Sequence, residues 1–209
     1  MLRSWCLIVL LMSVAFAQTT PGVVWEPPDW NFPQEAKATV PKEMFKSLRV
    51  STVGITLEET RLDKVEQLIG GEIGAKGDAG DAVQWLCLRG ADRGSDWVLW
   101  LESGEIDGGF VGSFQWQTIS SVAKSDRRCH VLRGTATIKL GLPLKLGMTE
   151  AELLRILGKP SLRQGERLIY LHQQEGSSNG VPFDLSNIVM VRIRGGEVVS
   201  IAVSNTTSS

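Results

Sequence analysis

Two short stretches of the chain place apolar side chains at helical spacing, and each follows a polar residue suited to a helix start. Thr149 and Glu152 form a capping box ahead of a run of leucine and isoleucine that ends at Gly158. An earlier stretch has the same spacing at Thr60 and Asp63 and ends in two glycines. The pattern therefore predicts two short helices, each with an N-cap and a glycine stop.

The remaining core segments favour β-strands, because they are rich in β-branched residues or alternate between apolar and polar positions. One strand segment precedes each helix and three follow it, over residues 48–55, 82–88, 97–102, 110–118, 136–147, 168–173, 188–194 and 197–204. The pair Gly195-Gly196 predicts a two-residue hairpin turn between the last two. The register that this turn implies pairs Arg194 with Glu197, Arg192 with Val199 and Met190 with Ile201.

This order of elements predicts an α+β fold. Two repeated helix-plus-antiparallel-meander units, at residues 46–134 and 135–204, would lie side by side with their helices packed on one face of the sheet. Residues 18–45 form a region rich in proline and tryptophan, predicted as an arm or linker, and residues 205–209 a frayed tail. Parallel winding is not expected, because no helix separates the strands within a unit.

The first 17 residues have the features of a signal peptide. Arg3 precedes an apolar run at residues 5–14, and Ala15-Phe16-Ala17 is typical of a cleavage site. We therefore expect a periplasmic or secreted protein. An uncleaved membrane anchor is the alternative, although ten apolar residues are too few to span a bilayer. No lipid anchor is expected, because Cys6 lies at the start of the apolar run and not after it.

Export changes the interpretation of the cysteines. Cys87 and Cys129 remain after signal removal, and an even pair in an oxidising compartment predicts a disulfide between them. A redox-active or catalytic thiol is the alternative. It has little support, because the chain has no C-x-x-C motif.

The second unit resembles a known family. The segment LPLKLGMTEAELLRILGKPS, the strand Leu168-Ile169-Tyr170 and the hairpin around Gly195-Gly196 are similar to those of the SmpA/OmlA family of small bacterial outer-membrane lipoproteins. They also resemble the two-repeat β-lactamase-inhibitor-protein fold. The resemblance implies a non-enzymatic envelope protein that binds other proteins, with peripheral outer-membrane association as an option. The chain departs from the lipoprotein pattern, since it lacks a cysteine at the cleavage site.

Tryptophan is absent from the second unit and concentrated in the arm and the first. Trp97 and Trp100 are three residues apart and so face opposite sides of a regular strand. Trp100 would then lie with Val98 and Glu102 on the face away from the helix. That face is either covered by the arm or a loop, or is free to bind a protein or a glycan ring. We predict Trp97, Trp100 and Trp116 as interaction residues.

The sequence lacks the residue sets of common enzymes and metal sites. The net charge of −1 disfavours nucleic-acid binding, and the glycine-rich loop at residues 70–81 has no P-loop spacing. With the cysteines bridged, two histidines, His130 and His172, are too few for a zinc site. No G-x-S-x-G motif suggests a serine nucleophile.

We therefore predict an exported, non-catalytic protein-interaction module of the cell envelope, with no catalytic residues, metal or cofactor. It would bind a protein partner through a sheet face. The alternative is an envelope enzyme, or a small-ligand or glycan binder, that uses a cleft between the two units.

Overall fold

A computed structural model describes residues 25–29, 32–33, 35–40, 44–78, 80–92, 95–119, 128–134, 136–178 and 180–208. The predicted signal peptide and Trp30 lie outside these residues. The described elements follow in chain order as β1 (Ser47–Val50), β2 (Val53–Thr56), α1 (Leu62–Ile69), β3 (Ile73–Lys76), β4 (Val83–Asp92), β5 (Ser95–Gly104), a 3-10 turn (Glu105–Asp107), β6 (Ser113–Thr118), β7 (His130–Val131), β8 (Ile138–Leu140), α2 (Glu150–Leu157), β9 (Leu162–Gln164), β10 (Arg167–Ser178), β11 (Val181–Arg194) and β12 (Glu197–Ser208).

A nine-stranded sheet dominates the described structure. Its strand order is β3-β4-β5-β6-β12-β11-β10-β9, with β7 as a short parallel neighbour of β4. Strands β3–β7, which follow α1, form one half of this sheet, and β9–β12, which follow α2, form the other. The halves join through the antiparallel pair β6 and β12. Residues 205–208, which we expected to form a frayed tail, are the last part of β12.

A second, three-stranded sheet packs against the large one. Its order is β2-β1-β8, so the two segments predicted to precede the helices pair with each other, for example Leu48 with Leu140. Phe45, Leu48 and Ile55 belong to the same buried cluster as the inward-facing residues of the large sheet. The main core therefore lies between the two sheets. We call the side of the large sheet that faces this core the front face.

The predicted α+β class, with two repeated helix-plus-meander units, was wrong: the chain is mostly β-structure with two short helices. Each helix has eight residues and is therefore about 12 Å long. Eight strands side by side, at about 4.8 Å each, make a sheet nearly 40 Å wide. Helices this short cannot cover such a sheet, and the small sheet supplies much of the cover. The helices contribute only a few core residues, among them Leu62, Val65 and Leu153.

The two predicted helix starts differ in the structure. In α2 the capping box forms, because Thr149 Oγ1 accepts from the Glu152 amide and the Glu152 carboxylate accepts from the Thr149 amide. In α1 the N-cap residue is Arg61, without a side-chain cap. The Thr60 hydroxyl instead accepts from the backbone N–H of Thr56, at 2.9 Å. The same sequence spacing thus produced a capping box only once.

The glycine hairpin forms with the predicted turn but with a shifted register. Gly195 and Gly196 have φ angles of 61° and 84°, as a primed two-residue turn requires. Arg194 pairs with Glu197 as predicted. A bulge then adds one residue to β12, so that Arg192 pairs with Ser200 and Met190 with Ala202. The predicted partners Val199 and Ile201 were therefore wrong by one position. Among the described residues, no helix is long and apolar enough to cross a membrane.

Candidate functional site

The three predicted interaction residues are all buried and lie on two different faces of the large sheet. Trp97, Trp100 and Trp116 expose 2%, 0% and 4% of their surface. Trp97 and Trp116 belong to the main core on the front face, whereas Trp100 belongs to a second cluster on the opposite face. We call that opposite side the back face. The alternation of side chains along β5 therefore separates Trp97 from Trp100 as predicted, and Val98 shares the back face with Trp100.

The N-terminal arm covers the tryptophans of the back face. Trp25 packs with Trp85, their ring centroids 5.9 Å apart in an edge-on arrangement. The indole N–H of Trp100 donates to the backbone carbonyl of Trp25 at 3.1 Å. The guanidinium of Arg128 lies 5.1 Å from the Trp25 ring centroid. In this structure Trp100 is therefore an interior residue beneath the arm.

The arm continues across the back face as a strap, which we define as the described part of residues 25–40. Its Pro28 carbonyl accepts from the Gln115 side chain on β6, at 2.7 Å. Farther along, the backbone N–H groups of Thr39 and Val40 donate to the carbonyl of Leu171 on β10, both at 3.2 Å. The strap thus contacts the sheet near both of its ends.

Beyond the strap the chain reaches the front face. The Val40 carbonyl contacts Nδ1 of His172 at 2.9 Å. The Asn187 side chain accepts from the Met44 amide and donates to the Phe45 carbonyl. Val40 thus contacts β10, and Phe45 belongs to the main core.

Cys87 and Cys129 form a disulfide within the cluster under the strap. Their Cα atoms are 4.6 Å apart, within the usual range for a disulfide. Both residues are buried with Trp25 and Trp100. The disulfide ties residues 128–131, including the short strand β7, to the central part of β4.

The front face has a pocket beside the ends of strands β4, β5, β6 and β12, which we call the tryptophan pocket. Its volume is about 450 Å³. Trp97 and Trp116 line it together, whereas Trp100 does not. The remaining lining residues are Asp92, Ser95, Thr118, Lys145, Leu146, Gly147, Glu197, Val198 and Val199.

Strand pairing builds the walls of this pocket. Trp97 on β5 pairs with Thr118 on β6, and the Thr118 hydroxyl donates to the Val199 carbonyl of β12 at 3.4 Å. Two backbone hydrogen bonds, each of 2.8 Å, fix the loop before α2 to β12. The N–H of Gly147 donates to the Val198 carbonyl, and the N–H of Val198 donates to the Met148 carbonyl. The pocket therefore lies where the two halves of the sheet meet.

The chemistry of the tryptophan pocket combines an aromatic wall with charges of both signs. Asp92 and Glu197 supply carboxylates, and Lys145 supplies an ammonium group. The indole N–H of Trp116 is buried and has no hydrogen-bond partner in the described part of the chain. An unpaired buried donor costs about 1–3 kcal/mol, so the position of this indole is one that the fold stabilises by other contacts.

Sequence reasoning identified the two tryptophans but not the charged residues around them. Asp92, Lys145 and Glu197 are far apart in sequence, and no local pattern links them. Only the strand order, which places β12 beside β6, brings them together. Within the described ranges, no group of three or more His, Cys, Asp or Glu side chains is arranged to hold a metal ion.

Comparisons with known proteins give little. No family model matches the chain, and no curated protein matches its sequence. One similar solved structure is that of a candidate β-lactamase inhibitor protein from Streptococcus mutans, with 10% sequence identity and a TM-score of 0.24. The match covers 78% of this chain and 91% of the other.

The description of this neighbour names the same inhibitor-protein class as the resemblance found in the sequence, whereas no family model supports the SmpA/OmlA part. A likeness with this TM-score says nothing about fold or function.

Proposed function

We propose that this chain is an exported, non-catalytic binding protein that takes a side chain of a protein partner into the tryptophan pocket. The observation that supports this most is the convergence of Trp97 and Trp116 with two carboxylates in one pocket at the junction of the sheet halves. A buried disulfide is compatible with export to a periplasmic or extracellular location.

The composition of the pocket suits an anchor residue from a protein partner. Tryptophan is enriched where a few residues supply most of the binding energy, and such anchors insert into desolvated pockets. Asp92 and Glu197 beside an indole wall favour a cationic side chain, which gains both ion pairing and cation–π attraction. We therefore expect an arginine or lysine of the partner in the pocket, with Lys145 contacting an acidic residue next to it.

Short peptides test this proposal directly. Peptides carrying a central arginine should bind the wild-type protein more tightly than matched peptides with glutamine at that position. The double variant Asp92→Ala with Glu197→Ala should lower the affinity for the arginine peptides by about tenfold or more, because it removes both carboxylates that would accept from the cation. Isothermal titration calorimetry measures both comparisons.

The control for this experiment is the double variant Glu72→Ala with Asp78→Ala. It changes the net charge equally but removes two exposed acids outside the pocket. A peptide preference that this control abolishes as well would come from the overall charge. Equal binding of arginine and glutamine peptides to the wild type would contradict the proposed anchor.

A small-ligand or glycan binder is the second candidate, and the size of the pocket favours it. About 450 Å³ lies within the range of roughly 300–1,000 Å³ typical of small-molecule sites. Indole rings such as those of Trp97 and Trp116 also stack on sugar rings. Titration with neutral disaccharides distinguishes the two candidates. Saturable binding that is lost in Trp116→Phe, together with no preference for arginine peptides, would favour the small ligand.

A further inference from the structure

A row of polar side chains crosses four strands on the back face. The strand registers pair Gln117 of β6 with Ser200 of β12, Ser200 with Arg192 of β11, and Arg192 with Arg167 of β10. All four belong to the lining of one pocket. Each of these side chains can donate hydrogen bonds, so the row presents donors from two guanidinium groups, one hydroxyl and one amide.

The next row on the same face closes one side of this pocket. Gln115, Ala202 and Met190 are its members, and they pair in register across β6, β12 and β11. The strap supplies the opposite wall through Pro28 and Asp29. The volume is about 200 Å³, several times the roughly 30 Å³ that one water molecule occupies in the liquid. The pocket therefore has room for a small polyatomic ion.

The two arginines make this pocket electrostatically unusual. Arg167 and Arg192 are direct cross-strand neighbours, and like charges in that position repel. Both are half-buried, and Arg192 has no ion pair within the part of the chain that the structure describes. The Asp29 carboxylate on the strap lies 3.6 Å from the ammonium group of Lys76, and its side chain is 83% exposed. A half-buried guanidinium group without an ion pair, as that of Arg192, is stabilised when an anion lies beside it.

We propose that this pocket, formed by Arg167, Arg192, Ser200 and Gln117, is a binding site for a phosphate or sulfate group. Guanidinium groups present paired N–H donors that match the oxygen atoms of such an oxyanion. Ser200 and Gln117 extend the donor row on the side of β6, so that several oxygen atoms are contacted at once. The site is on the face opposite the tryptophan pocket and does not depend on the function proposed for it.

Isothermal titration calorimetry with inorganic phosphate, inorganic sulfate and acetate at matched ionic strength tests the site. The wild type should bind phosphate or sulfate saturably and acetate far more weakly. Arg192→Gln should weaken this binding by about tenfold or more, because a charge-assisted donor pair is lost. Ser200→Ala should give a smaller loss in the same direction. It provides a second variant that leaves both arginines in place.

The matched control is Arg194→Gln on the same strand. Arg194 is exposed and pairs with Glu166 at 3.7 Å, outside the pocket. Phosphate affinity should be unchanged in this variant. Equal weakening in Arg194→Gln and Arg192→Gln would overturn the proposal, because it would show only a general charge effect. Absence of saturable binding of phosphate and sulfate, or acetate binding as tight as theirs, would overturn it too.

Glycerol 3-phosphate distinguishes the source of the group. Tighter binding of this ester than of inorganic phosphate, again lost in Arg192→Gln, identifies a phosphate carried on an organic molecule. Tighter binding of inorganic phosphate identifies the free ion. Both results support the site, because both depend on the same arginine pair.

Discussion

Removing the disulfide should lower the stability of the protein by an amount that can be calculated from the length of the loop it closes. Cys87 and Cys129 close a loop with a sequence separation of 42 residues. In the chain-entropy model, a crosslink across a loop of this length stabilises the native state by about 4 kcal/mol. The free energy of unfolding of a typical domain is about 5–15 kcal/mol. The double variant Cys87→Ala with Cys129→Ala should therefore lose a large part of its free energy of unfolding.

Urea unfolding followed by circular dichroism measures this loss. With an m-value of about 2 kcal/mol/M for the wild type, a loss of about 4 kcal/mol lowers the midpoint by about 2 M. The m-value itself should rise, because an unfolded chain without the crosslink exposes more surface. Reduced wild-type protein is the matched control, since it keeps both sulfur atoms and loses only the tether. A loss below about 1 kcal/mol in both proteins would refute the reasoning, as would two reactive thiols in the unreduced wild type.

Two further predictions concern single side chains. Trp25→Ala should destabilise the protein by about 3 kcal/mol and speed proteolytic cleavage within the strap, because it removes the ring that packs on Trp85. Cleavage no faster than in Glu35→Ala, a control that changes an exposed side chain of the strap, would contradict the docking of the strap. Burial raises the pKa of Asp107, so its contribution to stability is lost as the pH rises through the folded-state pKa. The stability of Asp107→Asn relative to wild type should therefore increase with pH in urea titrations between about pH 3 and pH 7; a constant difference would contradict this.

The sequence predicted local features of the fold better than its overall arrangement. The capping box at Thr149 and the turn at Gly195-Gly196 depend on residues close together in the chain, and the structure contains them. Most strand segments are present too, but residues 48–55 form two strands, β1 and β2, and only Ile138–Leu140 of the segment 136–147 is a strand. The pairing of β1 with β8 depends on segments about 90 residues apart, and no local pattern indicates it. Without that pairing, the segments before the helices looked like the starts of two equivalent units. The small sheet was missed for this reason, and the helices were assigned a larger role than they have.

Local sequence patterns also explain which site residues could be predicted and which could not. Side-chain alternation was enough to separate Trp97 from Trp100, because it acts within one strand. It could not show that Trp116 lies beside Trp97 in a pocket closed by Lys145, because that depends on the order β5-β6-β12. The bulge after Arg192 had a further effect. It moved Ser200, and not Val199, opposite Arg192 and so completed the polar row of the back face.

The strap connects these observations, because it determines what each face of the sheet can bind. Trp25 covers Trp100, so the large aromatic surface expected on the back face is used within the molecule and is not free for a partner. The strap leaves the polar row around Arg192 next to a small pocket, and it contributes Pro28 and Asp29 to that pocket. On the front face, Trp97 and Trp116 border the tryptophan pocket. Because the chain's own arm covers one tryptophan face, the two sites that we propose are the tryptophan pocket on the front face and the pocket around Arg192 on the back face.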